Sequence, residues 1–121
     1  MSMNIINVKV ANIRPKYNNL KEWIDDTEKN TYIGRAGIVF IDGERYPKVS
    51  SIWANPFKIG KYSREECLIK YESYITDKIN NDNNLLNELL QLKGKQLGCW
   101  CHPEQCHGDI LIKLIKQYDL Q

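Results

Sequence analysis

Long apolar runs are missing from this 121-residue chain. No stretch approaches the about 20 apolar residues that a helix needs to cross a bilayer. The opening "MSMNIINVKV" has neither the apolar block nor the small-residue cleavage site of a signal peptide. A cytoplasmic protein with no membrane partner is the expectation. Charge of one sign is scarce as well: 17 Lys and Arg against 15 Asp and Glu leave +2. Such a balance gives no support to a nucleic-acid partner, although a local basic patch stays open. Internal repeats and low-complexity tracts are absent, and a chain of this length has room for one core, so one domain over 1–121 is expected. Cysteine is limited to four residues and histidine to two. Four cysteines make a disulfide framework only in a secreted protein, so reduced thiols or metal thiolates are the better expectation.

What the chain does have is punctuation. "NIINVKVANI" alternates Ile and Val and predicts a first strand over 4–13. Leu20, Trp23 and Ile24 are spaced for a short helix. Asp42-Gly43, between "GIVFI" and "ERYPKV", predicts a tight hairpin. Ser63 and Glu66 form a Ser-x-x-Glu capping box. After it, Cys67, Tyr71, Tyr74, Ile75 and Ile79 share one helical face. "LLNELLQLK" predicts another helix, ending before Gly94. "KQLGCWC" reads as a strand and "DILIKLIKQY" as a last helix, its apolar face made by Ile110, Leu111, Leu114, Ile115 and Tyr118. This order of elements predicts a layered α/β domain.

Three of the four cysteines and both histidines fall within "GCWCHPEQCHGD", residues 98–109. Strand side chains alternate, so Cys99 and Cys101 should share one face while Trp100 packs on the other. Residues that face the same way along a strand bridge poorly, which argues against a Cys99–Cys101 disulfide. Pro103 turns the chain, and Cys106 and His107 arrive where the last helix begins. There the free N–H groups and the helix dipole favour a thiolate at Cys106 and a carboxylate at Asp109. Three readings follow. Cys99, Cys101 and Cys106, with His102 or His107, could hold zinc or an iron–sulfur centre. Against this, familiar zinc sites put two or more residues between paired cysteines, and here only Trp100 intervenes. Alternatively Cys106 is a reactive thiolate with His107 as its acid or base and Asp109 beside them. In the third reading the cysteines are small apolar fillers.

"YIGR", "WANPFKIGKYSREECLIKY" and "LKGKQLGCWCHPEQCHGDIL" resemble the domain-of-unknown-function 4326 family of phages, bacteria and large DNA viruses. The family pattern resembles N-V-R, Y-I-G-R, W-G-N-P-F, a Gly with a following Arg, and C-W-C-x-P-x-x-C-H-G-D. The likeness runs from about Asn7 to about Leu114, and the last motif is its most specific part. Ala54 stands where Gly is common, Lys9 where Arg is expected, and His102 and Glu104 fill variable places. "GIVFIDGERYPKVSS" resembles an insertion between motifs. The resemblance implies a Rossmann-like, mostly parallel sheet with that hairpin inserted, and the cytosol of a host cell for a viral member. It carries no activity.

The remaining motifs supply cations. Arg35 follows a strand and Gly34, while Lys58, Lys61 and Arg64 gather at the start of the capped helix, near Gly60. Helix-end N–H groups with nearby cations make an anion cradle, although a solvated cationic face has the same appearance in sequence. Trp53 and Phe57 flank Asn55-Pro56, either as loop anchors or as stacking surfaces. Cys67 is expected in the core. The reading that joins these signals is one polar pocket at the carboxyl edge of the sheet. Gly34, Arg35, Asn55, Lys61 and Arg64 would line one side, and Cys99, Cys101, Cys106, His107 and Asp109 the other. Its expected ligand is a phosphate-bearing, nucleotide-like small molecule, which the thiol and histidine are placed to process once it is bound. The alternatives are a zinc or iron–sulfur module and a protein that sequesters a ligand without catalysis.

Overall fold

Strand β5 (Gln96–Cys99) runs between β1 (Asn4–Asn7) and β2 (Asn30–Tyr32), and all three are parallel. Parallel neighbours need crossover connections, which here are helical. α1 (Val10–Ile13) and α2 (Leu20–Asp25) link β1 to β2. A hairpin of β3 (Val39–Ile41) and β4 (Glu44–Tyr46), then α3 (Arg64–Asn80) and α4 (Asn83–Leu90), lead from β2 to β5, and α5 (His107–Asp119) follows. This computed structural model describes residues 3–119, so Met1, Ser2, Leu120 and Gln121 of the expected 1–121 domain lie outside the described residues. The fold is mixed α/β, with a small three-stranded parallel sheet and a separate two-stranded antiparallel one. None of the described helices is long and apolar enough to cross a membrane.

Successive sheet residues divide between two apolar clusters. Ile5, Ile33, Leu97 and Cys99 join Tyr71, Ile75, Leu89, Leu111 and Leu114 of the α3, α4 and α5 layer. Ile6, Val8, Tyr32 and Trp100 join Ile13, Leu20 and Trp23 of the α1 and α2 layer. Gly98 explains how the second layer comes so close. A Cβ there would lie 2.6 Å from Trp23 Cζ3 and 2.8 Å from Val8 Cγ1, so the Trp23 indole occupies the place of the missing side chain.

Local chemistry sets the element ends. Ser63 Oγ accepts from Glu66 N at 3.1 Å and Glu66 Oε1 accepts from Ser63 N at 3.2 Å, so both halves of the capping box form. Cys67, Tyr71, Ile75 and Ile79 are then buried at every fourth position, with Tyr74 packed at their margin. Each large apolar chain of this set stabilises the fold by about 1.5–3 kcal/mol relative to leaving it in water. Asp42 (φ 53°) and Gly43 (φ 80°) both adopt the left-handed conformation that a two-residue hairpin turn requires.

Three boundaries differ from expectation. The first strand stops at Asn7 rather than near Ile13, and Val10–Ile13 is one helical turn. Asn7 ends it: Nδ2 donates to the carbonyls of Trp100 (3.2 Å) and His102 (2.8 Å), while Oδ1 accepts from Lys9 N (3.1 Å). The strand through "KQLGCWC" likewise stops at Cys99, because its neighbour runs out at the Asn7–Cys99 pair. α4 starts at Asn83, earlier than the leucine run, since Asp82 Oδ1 accepts from Asn84 N and Leu85 N and caps it.

Candidate functional site

The carboxyl ends of β2 and β5 open toward the start of α3, and a cavity of about 420 Å³ lies there. One wall comes from the turn after β2. Tyr32 Oη donates to Arg35 O (2.7 Å) and accepts from Trp100 Nε1 (2.8 Å), so the ring lies beneath residues 33–35. Only glycine fits at 34, because a Cβ there would come within 2.6 Å of Tyr32 Cζ. Arg35 donates through Nε (3.2 Å) and Nη2 (2.9 Å) to Asn55 O. Asn55 in turn accepts at Oδ1 from Phe57 N (2.9 Å), which fixes the Asn-Pro-Phe turn. The guanidinium is held rigidly, and Nη1 carries no protein hydrogen bond among the described residues.

The opposite wall is the sulfur-rich segment. Cys99 and Cys106 are buried, Cys101 is half-buried, and all three line the cavity. Cys106 takes the N-cap position of α5: its Sγ accepts from Gly108 N at 3.4 Å, and its own N–H donates to Asp109 Oδ2 at 3.1 Å. His107 is buried with its ring edge against Tyr71, at 5.1 Å between centroids. Its Nε2 lies 2.7 Å from Ile33 O, an acceptor only, so Nε2 carries the proton and Nδ1 presents a lone pair to Cys106 Sγ at 3.5 Å. Burial pushes the His107 pKa down and keeps the ring neutral.

Arg64 ties the walls together. Its Nη1 donates to Gln105 O (3.0 Å), and Nη2 pairs with Glu104 Oε2 (2.9 Å). Its positive charge also acts on the Cys101 sulfur. Sequence reasoning puts the activated thiolate at Cys106, yet the structure moves it. The neighbouring sulfurs of Cys101 and Cys99, together with burial, push the Cys106 pKa up. Cys101 is lowered to about 6, first by the Cys106 hydrogen bond and then by Arg64. Cys99 is lowered to about 7 by the same Cys106 bond and by backbone donors. Of the three sulfurs Cys101 is thus lowered furthest, while Cys106 is the one pushed up.

Of the expected site residues, Gly34, Arg35, Asn55, Arg64, Cys99, Cys101, Cys106 and His107 line this one cavity. Lys61 does not: its Nζ sits 5.7 Å from the Tyr62 ring centroid. Asp109 is absent from the lining too, since its carboxylate is turned to Cys106 N. Cys67, expected only in the core, is buried there and also reaches the lining. Phe57 stands in the wall, while Trp53 is a buried anchor whose carbonyl accepts from Tyr71 Oη at 2.7 Å. Sequence reasoning missed Ile38, Ile59 and Leu68, which give the cavity an apolar side. Nothing in their local sequence marks them, because the hairpin and the 58–62 loop meet the sheet only in the fold. Among the described residues, no group of three or more His, Cys, Asp or Glu is arranged to hold a metal ion. The zinc or iron–sulfur reading thus lacks a coordination geometry here.

A family model described as "Domain of unknown function (DUF4326)" matches residues 17–117. The chain belongs to this family. It is 36% identical over 102 residues to an uncharacterized protein of Acanthamoeba polyphaga mimivirus, covering 74% of this chain and 72% of that one. It is 28% identical over 67 residues to an uncharacterized 12.4 kDa protein of Enterobacteria phage T4, from the nrdA-td intergenic region, covering 55% and 62% respectively. No solved structure matches the chain.

Proposed function

We propose that the cavity binds a phosphate-bearing, nucleotide-like small molecule in a Rossmann-like α/β frame, with a thiol wall placed to act on it. The observation that carries this reading is the joint lining of one cavity by Arg35, Arg64 and Phe57 on one side and by Cys99, Cys101, Cys106 and His107 on the other. About 420 Å³ falls within the range, roughly 300–1,000 Å³, of small-molecule sites. Ligands of open α/β sheets bind outside the carboxyl ends of the strands, where this cavity lies. The fixed Arg35 fork suits a phosphate, with Lys58 adding charge at the same cavity. Phe57 and Ile59 offer a flat apolar surface for a base. The balanced net charge and the small cavity favour a small molecule over a nucleic-acid groove. Neutral His107, with its lone pair toward Cys106, provides a proton acceptor at the sulfur wall.

Native mass spectrometry of protein purified under reducing conditions is the first test, since a tightly held ligand copurifies. Titration then compares the ligand with its dephosphorylated form. The phosphorylated form should bind at least tenfold more tightly, and Arg35→Ala should remove most of the difference, as loss of a charge-assisted contact costs about 1.5–3 kcal/mol. Equal affinity for the two forms would sink the phosphate assignment. Turnover of the bound ligand, abolished in Cys101→Ser or Cys106→Ser, separates an enzyme from a sequestering protein.

A further inference from the structure

The sulfur wall has an asymmetry that ligand binding does not require. Cys99 and Cys106 are only 1% and 2% exposed, whereas Cys101 is partly open to the cavity and to solvent. Cys106 lines the same cavity as both other sulfurs. The Cys101–Cys106 segment is a turn, closed by Glu104 N donating to Cys101 O at 2.9 Å, rather than part of a helix or strand. Arg64 holds this turn from α3 by its bonds to Glu104 and Gln105. One reachable sulfur and one buried sulfur on the same cavity wall, at the two ends of one short turn, make an arrangement for thiol–disulfide exchange.

We propose that Cys101 and Cys106 form a dithiol–disulfide couple that exchanges with low-molecular-weight disulfides. Cys101 Sγ, as thiolate, attacks one sulfur of the small disulfide. The S–S bond of that molecule breaks, one half leaves as a thiolate, and a mixed disulfide forms on Cys101. The Cys106 thiol then gives up its proton, with His107 Nδ1 at 3.5 Å as the adjacent acceptor. Cys106 Sγ attacks Cys101 Sγ and expels the second small thiolate. The protein loses two electrons and two protons as its disulfide forms, and the small disulfide is reduced to two thiols. Cys99, with neither exposure nor a place on the turn, stays reduced. The couple stands whether or not the cavity takes a phosphorylated ligand, because the exchange needs only the free protein.

The test uses fully reduced, ligand-free protein and oxidised glutathione at neutral pH. Intact mass should show the loss of two hydrogens per chain, reversed by dithiothreitol. Cleavage after Glu104 separates Cys99 and Cys101 from Cys106, so the two fragments should remain linked until reduced, and fragmentation of the linked pair between Cys99 and Cys101 should place the bond on Cys101. Cys106→Ser should accumulate a single glutathione adduct on Cys101, and Cys101→Ser should react at least tenfold more slowly than wild type. A link from Cys99 to either Cys101 or Cys106 as the main product, glutathione mainly on Cys67, or no internal disulfide while the thermal melt shows a folded chain would each overturn the couple. The wild-type peptide map decides by itself should either serine variant fail to fold.

Discussion

The two faces of residues 97–101 serve different ends. Leu97, Cys99 and Cys101 look toward α3–α5 and the cavity, while Gly98 and Trp100 look toward α2. On the α2 side the sequence is used for packing: an indole fills the space over Gly98, and Trp100 Nε1 is tied to Tyr32 Oη. On the cavity side, small polarisable residues leave room, and their hydrogens and charges are shared among neighbours. One strand thus carries a part that tolerates no added atom and a part that tolerates substitution but not loss of chemistry. Substitutions on each side should therefore separate stability from reactivity.

The largest effect should come from the packed face. Gly98→Ala forces a methyl against Trp23 and Val8, and both are buried with little freedom to move. Overpacking of this kind costs about 1–3 kcal/mol, and the upper end is expected because ring and sheet backbone meet directly. Urea unfolding of the variant should show a clearly lower midpoint. An unchanged midpoint would mean that the α2 layer yields and that the two faces do not differ as argued.

His107 comes next, because it belongs to both structure and site. His107→Ala removes the donor to Ile33 O and the edge contact with Tyr71, a loss of about 2 kcal/mol. The pH dependence has a definite sign. The folded pKa of His107 lies below its ordinary value, so as pH falls past about 6.5 the unfolded chain takes up a proton that the folded chain refuses. Stability from this group is present above about 6.5 and is lost as pH falls toward the lower folded value. His107→Gln keeps an N–H donor and removes the titration. Its stability relative to wild type should therefore improve between about pH 7.5 and pH 5.5, measured by urea melts at each pH. A constant difference would show that His107 is not held neutral.

Sequence reading reached the site further than it reached the fold. The 98–109 segment is continuous, so alternation alone assigned Cys99 and Cys101 to one face and Trp100 to the other, even though the strand ends at Cys99. The capping box and the Asp42-Gly43 turn are local signals and were equally legible. The end of β1 was not, because it depends on Asn7 reaching the carbonyls of Trp100 and His102, 93 and 95 residues away. Arg64 and Lys61 sit three residues apart with the same charge, yet only Arg64 reaches Gln105 and Glu104. Nothing within "KYSR" distinguishes them, since the discrimination lies in the path of the 101–106 turn.

That distinction leads to a smaller effect. Arg64→Ala should lower stability by less than about 1 kcal/mol, since its partner Glu104 is largely exposed. It should nevertheless slow alkylation of Cys101, because the guanidinium is one of the groups that stabilise the thiolate. Lys61→Ala should change neither, and rates of iodoacetamide labelling at neutral pH compare the two. Equal slowing in both variants would replace the specific Arg64 contact with a general field of positive charge.

The smallest change in stability should accompany the sharpest change in reactivity, at Cys106. Serine caps helices well and also keeps a hydrogen-bond donor, so Cys106→Ser should stay within about 1 kcal/mol of wild type. Cys106→Ala deletes the sulfur, and with it the group that contributes most to lowering Cys101. In wild type, iodoacetamide at limiting dose should label Cys101 before the buried Cys106 and Cys67. In Cys106→Ser that rate should be nearly kept, and in Cys106→Ala it should fall by about fivefold at neutral pH, as the Cys101 thiolate becomes scarcer but each thiolate more nucleophilic. Raising the pH toward the ordinary thiol value should close the gap, since both chains are then thiolate at Cys101. If Cys101 labels at one rate in all three chains across that range, Arg64 and Arg35 set its charge and Cys106 contributes nothing but packing.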